Sequence, residues 1–251
     1  MHRTDPLLLL PDWPGPPGVR AAITTRRGGW SQGPYASFNL GAHVGDDVFA
    51  VQQNRALLSR ILDLPAAPRW LRQVHGTNIV TIGTEDRDWQ PADGAVSFAP
   101  AVVLAVLSAD CLPVLAVSAD GQRLGAFHAG WRGLAAGILE QGIAALGVAA
   151  EQILVYLGPA IGPDAFVVGG EVRACFLAAD PDASWAFRPG YGDRYYADLY
   201  ALARMRLARL GVTRIYGGNY CTVRDESLFF SHRRDGVCGR MASLIWREAT
   251  S

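Results

Sequence analysis

A cysteine and a histidine each follow or close an apolar run in the stretch Ala109–Gly133, ADCLPVLAVSADGQRLGAFHAGWRG. Cys111 comes after Val102-Val103-Leu104-Ala105-Val106-Leu107, a short uninterrupted apolar segment of the kind that forms a strand covered on both faces. Pro113–Val117 predicts a second strand, and Leu124–Phe127 a return strand that leads to His128. Between them, Ala119-Asp120-Gly121-Gln122 reads as a hairpin turn, because Asp-Gly supplies the positive φ that such a turn needs. If these strands are neighbours, Cys111 and His128 share one edge of a sheet. Ala129–Gly133 then opens a segment, Leu134 to Leu146, with apolar residues at helical spacing. His128 therefore precedes a helix N-terminus, whose dipole and N–H groups favour a thiolate or a phosphate.

A third donor stands upstream. His75 is followed by Gly76, where the backbone can turn and leave an imidazole exposed in a concavity. Two histidines and a cysteine make an N₂S set that suits zinc and leaves a fourth coordination position open. Their separations are too wide for a metal motif to be read from spacing, so a buried thiol with two unrelated histidines stays open as the alternative. So does a hydrolase in which His128 activates Cys111. A full multicopper cluster requires more imidazoles than His2, His43, His75, His128 and His232 supply. The H-x-E and P-C-x-x-C signature of the zinc deaminases is absent.

The elements that must position these groups fit one α/β domain. With 251 residues, half of them hydrophobic, the chain can bury a large core. Residues 1–18 form a proline-rich lead-in and residues 19–251 the domain. Basic and acidic residues both number 23, so no long-range field recruits nucleic acid or an anionic membrane. The basic charge is carried by arginine, which prefers planar bidentate contacts. Leu7–Leu10, cut short by Pro11, lacks the continuous apolar core of a signal peptide, and nothing later is a membrane span. Cys111, Cys175, Cys221 and Cys238 show no CxxC spacing and read as thiols, which points to the cytoplasm.

In chain order, Val19–Thr25 predicts a first strand, ended by the glycine-rich loop Arg26–Pro34, which either brings N–H groups and Arg26 to an anion or is a plain surface loop. Asp46 or Asp47 can cap a helix over Val48–Leu62. Ile79–Ile82 is strand-like, and Pro91-Ala92-Asp93-Gly94 is a turn. Ile153–Leu157 is a further buried strand, and a helix follows Gly170 through Leu177. Asp180–Gly192 is irregular and aromatic, the composition of a packed surface loop or of a lid. Asp198–Leu210 predicts an amphipathic helix stopped by Gly211, and strands are expected at Arg214–Gly217 and Met241–Trp246.

Gln73-Val74-His75-Gly76, Ala109–Pro113, His128–Gly133, Gly158-Pro159-Ala160-Ile161-Gly162 and Ser231-His232-Arg233-Arg234-Asp235-Gly236 together resemble the laccase-domain proteins, also called polyphenol oxidases and purine nucleoside phosphorylases. The resemblance runs from about Arg20 to Trp246. It implies a single α/β (α+β) domain with mixed sheets flanked by helices, and a zinc ion held by His75, Cys111 and His128. The implied activity is phosphorolysis of adenosine, inosine, guanosine and methylthioadenosine, with adenosine deamination at the same site. Copper-dependent polyphenol oxidation is the family's older assignment, and a part in peptidoglycan quality control is a further one. The family pattern often has tyrosine where His232 stands and threonine where Cys238 stands; neither is an implied ligand.

Phosphorolysis loosens the ribose–base bond before phosphate arrives, so a site must stabilise a cationic sugar, hold an anion and protonate the departing base. The resembling motifs make Arg26, Asn39, Arg72, Gln73, Arg132 and Arg233 the candidate substrate and phosphate ligands, beside the N–H groups of Gly130–Gly133. Asp110, Glu171 and His43 are the candidate acid–base groups, although Asp110 could equally cap a turn and Glu171 open a helix. Purine nucleosides and phosphate are the expected partners, and nucleic acid and membrane are not.

Overall fold

Two sheets stack on each other with helices outside both, and that is why the longest apolar runs are covered on both faces. The computed structural model describes residues 6–85 and 91–248. The chain opens with β1 (Leu8–Leu9), β2 (Val19–Thr24) and α1 (Val48–Ile61), then β3 (Ile79–Thr81) and β4 (Gly94–Ser97). The centre is β5 (Val103–Ser108), β6 (Leu112–Ser118), β7 (Leu124–Ala129), α2 (Trp131–Ala136) and α3 (Ile138–Leu146). There follow β8 (Ile153–Leu157), β9 (Val167–Val168), α4 (Gly170–Ala179), β10 (Phe187–Pro189), β11 (Tyr195–Ala197) and α5 (Leu199–Arg209). β12 (Arg214–Gly217), α6 (His232–Asp235) and β13 (Met241–Arg247) complete it.

One sheet has the order β1-β2-β13-β5 and the other β12-β8-β6-β7-β4-β3; β10-β11-β9 form a small third sheet. Among the named strands of the described residues, only β3–β4 and β8–β12 pair in parallel, so the sheets are mixed, as expected. Strand alternation divides the core. Leu104 and Val106 of β5 meet Leu115 and Val117 of β6 between the sheets. Val103, Ala105 and Leu107 face the layer that contains Leu58 of α1. Leu112, Val114 and Ala116 face Leu139 and Ile143 of α3 and Leu202 of α5. The described residues thus form one α/β domain.

Local signals account for most boundaries. Asp47, not Asp46, caps α1 by accepting from the Ala50 N–H at 2.7 Å. Asp198 caps α5 in the same way, and Gly211 takes the positive φ that ends it. The predicted helix over 134–146 begins earlier, at Trp131, and is broken by Gly137, whose φ of +102° is outside helical geometry. Asp180–Gly192 is more regular than expected: residues 181–186 form a 3₁₀ turn whose Ala183 and Ala186 are buried, and Phe187–Pro189 pairs with β11. Leu8–Leu9 of the lead-in pairs with β2, while residues 1–5 lie outside the described region. No helix of the described residues is long and apolar enough to cross a membrane.

Candidate metal centre

Three segments end at one edge of the stacked sheets. Residues 69–73 run beside β5: Arg69 bridges Leu104 in parallel, and the Gln73 amide donates to the Leu107 carbonyl and accepts its N–H, both at 2.8 Å. This pairing carries His75 to the C-terminal end of β5, where Ala109–Cys111 crosses into β6. β6 and β7 form the expected hairpin, and Pro113 lies opposite His128, which brings Cys111 to the same edge.

The donor atoms of His75, Cys111 and His128 lie within 4.8 Å of one another. Cys111 Sγ is 3.9 Å from His75 Nε2, and the two imidazoles meet edge to face with centroids 4.9 Å apart. His128 is buried, Cys111 is part-buried and His75 is exposed, so the group opens to solvent on one side. A Cβ added to Gly130 would lie 2.9 Å from Cys111 Sγ, 3.2 Å from His75 Cδ2 and 3.6 Å from His128 Cε1. Glycine leaves room where all three donors point, and a borderline-soft N₂S set in that space fits a metal ion such as zinc. Two clefts lie elsewhere: neither the groove of about 620 Å³ at Leu10, Trp13 and Trp246 nor the one of about 720 Å³ at Arg26, Arg234 and Asp235 includes any of the three.

Asp93, read from sequence only as part of a turn, is central here. Its buried carboxylate accepts the N–H groups of Val74 (3.0 Å), His75 (2.9 Å) and Gly76 (2.7 Å) and lies 2.9 Å from His128 Nδ1. The His128 N–H also donates to the Asp93 carbonyl at 2.7 Å. No local signal marks it, since only the pairing of Gly94 with Phe127 places residue 93 beside His128.

The charges reinforce one another. Burial pushes the Cys111 thiol up, but the His128 charge and hydrogen bonds from His128 and His75 outweigh it, so the thiol lies well below its ordinary value. Burial lowers His128, and the Cys111 charge with the Asp93 hydrogen bond raises it further than that. Asp93 is pushed up by burial and brought below the usual carboxylate range by His128 and the Gly76 and Val74 N–H groups. The metal-free site thus favours a thiolate, the form that ligates metals.

The other predicted residues divide into two sets. Both oxygens of Asp110 are engaged: Thr222 Oγ1 donates to one at 2.5 Å and the Arg233 N–H to the other at 2.6 Å. Asn39 is fully buried; it accepts the N–H groups of Gly41 and Arg240 and donates to Asp46 and the Gly41 carbonyl. Gln73 is committed to Leu107. The Arg26 guanidinium donates to the Ala36 and Glu226 carbonyls, and that of Arg233 to the Val167 carbonyl. By contrast, Arg72 and His43 are exposed, as is Arg132, which stacks on Trp131 at 4.4 Å. Glu171 is exposed on the first turn of α4, which packs against α2. His43 is held below its ordinary value by partial burial, then by the charges of Arg240, Arg55 and His128. Arg240 belongs to no motif singled out in the sequence.

A family model described as multi-copper polyphenol oxidoreductase laccase matches residues 20–248. The chain belongs to that family. Purine nucleoside phosphorylase YfiH of Escherichia coli is 51% identical over 95% of this chain and 98% of its own length. Purine nucleoside phosphorylase YlmD of Geobacillus stearothermophilus is 38% identical over 92% of this chain and 91% of its own. Among solved structures, Neisseria meningitidis protein NMB0706 superposes with a TM-score of 0.92 at 46% identity, covering 97% of this chain and 100% of that one. In this laccase-family chain, three of the resembling motifs meet at Asp110: its main-chain carbonyl accepts the Ile161 N–H at 2.9 Å and its carboxylate the Arg233 N–H at 2.6 Å.

Proposed function

We propose that this protein is a zinc-dependent purine nucleoside phosphorylase, acting on adenosine, inosine, guanosine and methylthioadenosine and also deaminating adenosine. The convergence of His75, Cys111 and His128 within 4.8 Å carries the reading, and relatives named purine nucleoside phosphorylase at 45–51% identity support the reaction class. Zinc held by these three residues would supply a Lewis acid able to polarise a phosphate or water oxygen. Arg72 and Arg132, exposed and close in sequence to His75 and His128, would serve as the anion ligands. His43 is the acid–base candidate: held below its ordinary value, it would have to take up a proton before it could pass one to the departing base. Asp110, with both oxygens engaged, positions Cys111 and the Arg233 segment. Thiols at all four cysteines are in keeping with action in the cytoplasm.

The test is base release from adenosine and inosine, with and without phosphate, in the wild type and in Cys111→Ala, with zinc measured in both. Phosphate-dependent release that disappears together with zinc in the variant supports the reading. A zinc-loaded wild type that yields no free base overturns phosphorolysis. The family's description favours copper-dependent phenol oxidation as the second reading, which instead predicts oxygen uptake when copper is supplied.

A further inference from the structure

The geometry points to Asp93 as a positioning residue that sets both imidazoles of the metal centre: it holds the turn that presents His75 and keeps a proton on Nδ1 of His128. The inference rests on the metal reading above but is carried by hydrogen bonds that exist without metal.

An ionised carboxylate is an acceptor with about four lone-pair sites. Asp93 meets four donors and its side chain is fully buried: Oδ1 takes the His75 N–H and His128 Nδ1, and Oδ2 takes the N–H groups of Val74 and Gly76. No acceptor capacity is left for a substrate, so Asp93 acts through its neighbours. Three successive N–H groups converging on one anion make a nest, the arrangement in which left-handed backbone is stabilised. His75 is the residue with that conformation, at φ +61°, which strains a non-glycine residue. On the other side, the Nδ1–H bond leaves Nε2 of His128 as the nitrogen available to a metal, the outer-shell device that orients ligating imidazoles.

Asparagine cannot reproduce both halves. With its NH₂ toward His75 and His128, it donates to Nδ1 and drives the imidazole proton onto Nε2, where the metal lone pair is needed. Turned the other way, its NH₂ faces the N–H groups of Val74 and Gly76 and loosens the turn that carries His75.

The experiment compares wild type and Asp93→Asn in three measurements: zinc affinity by competition with a chromophoric chelator, protection of the His128 Nδ1–H from solvent exchange by ¹H–¹⁵N NMR, and thermal stability of the metal-free proteins. The wild type should show a protected Nδ1–H with and without zinc. Asp93→Asn should lose that signal and bind zinc 10- to 100-fold more weakly, the range for lost outer-shell partners. A variant that melts earlier but binds zinc within twofold of wild type would reduce Asp93 to a structural tie and overturn the inference. If the variant does not fold, the wild-type spectrum decides, since an unprotected Nδ1–H excludes the role. A wild type that takes up no zinc overturns the metal reading alone, and the Nδ1–H measurement then decides whether Asp93 sets His128.

Discussion

The Thr222 hydroxyl reaches the Asp110 carboxylate at 2.5 Å across 112 positions of sequence. Asp110 has a φ of +93°, and its second oxygen takes the Arg233 N–H. One side chain therefore ties the residue before Cys111 to two segments from the C-terminal third of the chain. Asn tolerates left-handed backbone better than other residues, so Asp110→Asn removes the charge without adding strain. It should cost only about 1 kcal/mol in urea unfolding, because both bonds survive without the charge. The amide oxygen still accepts the Arg233 N–H, and the Thr222 hydroxyl can turn to accept from the NH₂. Asp110→Ala should cost about 1–2 kcal/mol more through the backbone. The pH–rate profile of base release should keep its shape in Asp110→Asn, whereas a displaced limb would assign proton transfer to Asp110 instead.

Tyr200 holds the neighbouring loop from beneath. Its hydroxyl accepts the Ala160 N–H at 2.7 Å and donates toward the Tyr220 carbonyl at 2.9 Å, with the Gly158 carbonyl at 3.2 Å. Burial raises it above the ordinary tyrosine value, so it stays protonated at any working pH. Tyr200→Phe leaves the Ala160 N–H buried without an acceptor and should lower stability by about 1–3 kcal/mol. Amide hydrogen exchange should place the largest loss of protection at residues 158–162, and a loss spread evenly over the domain would contradict this account.

Asp225 makes stability depend on acid. Burial raises its carboxyl, while the Arg224 guanidinium and the Cys221 N–H outweigh that and hold it below its ordinary value. A folded-state value below the unfolded one adds stability at pH above the usual carboxylate range of about 4, and that contribution disappears as pH falls through the folded value. Urea midpoints of wild type and Asp225→Asn should therefore differ at pH 7 and draw together as pH falls below the usual carboxylate range. A difference that does not shrink with acid would show that the ion pair contributes nothing.

Runs such as Val102–Leu107 and Ile153–Leu157 were legible as strands to within a residue because continuous apolar character has few other uses at that length. The partition into two sheets was not. β5 and β6 are separated by only Ala109–Cys111, yet they join different sheets, and the left-handed Asp110 marks the crossing. The Cys111–His128 edge could be read because a hairpin is a local object. The convergence of His75 could not: it depends on Gln73 imitating a backbone pairing with Leu107, and on Asp93, whose partners come from two distant segments. Asn39 and Gln73 were expected as substrate ligands, and in the fold their amides bond to the chain itself; a motif does not reveal which way an amide faces.

Gly130 offers the sharpest separation between folding and binding. Its φ of −62° and ψ of 156° are open to any L-residue, so the backbone has no need of glycine there. What requires glycine is space: a methyl group would stand 2.9 Å from Cys111 Sγ and 3.2 Å from the His75 ring. Gly130→Ala should leave the metal-free protein within about 1 kcal/mol of wild type, since Ala also loses less conformational entropy on folding. It should weaken zinc binding by about tenfold or more, on the scale seen when the surroundings of a ligand are disturbed, and reduce base release in proportion. Chelator competition and urea unfolding on the same preparation check both halves. Normal zinc affinity in Gly130→Ala would mean that the donors can draw back from the methyl group, and that the space in front of Gly130 is not where the ion sits.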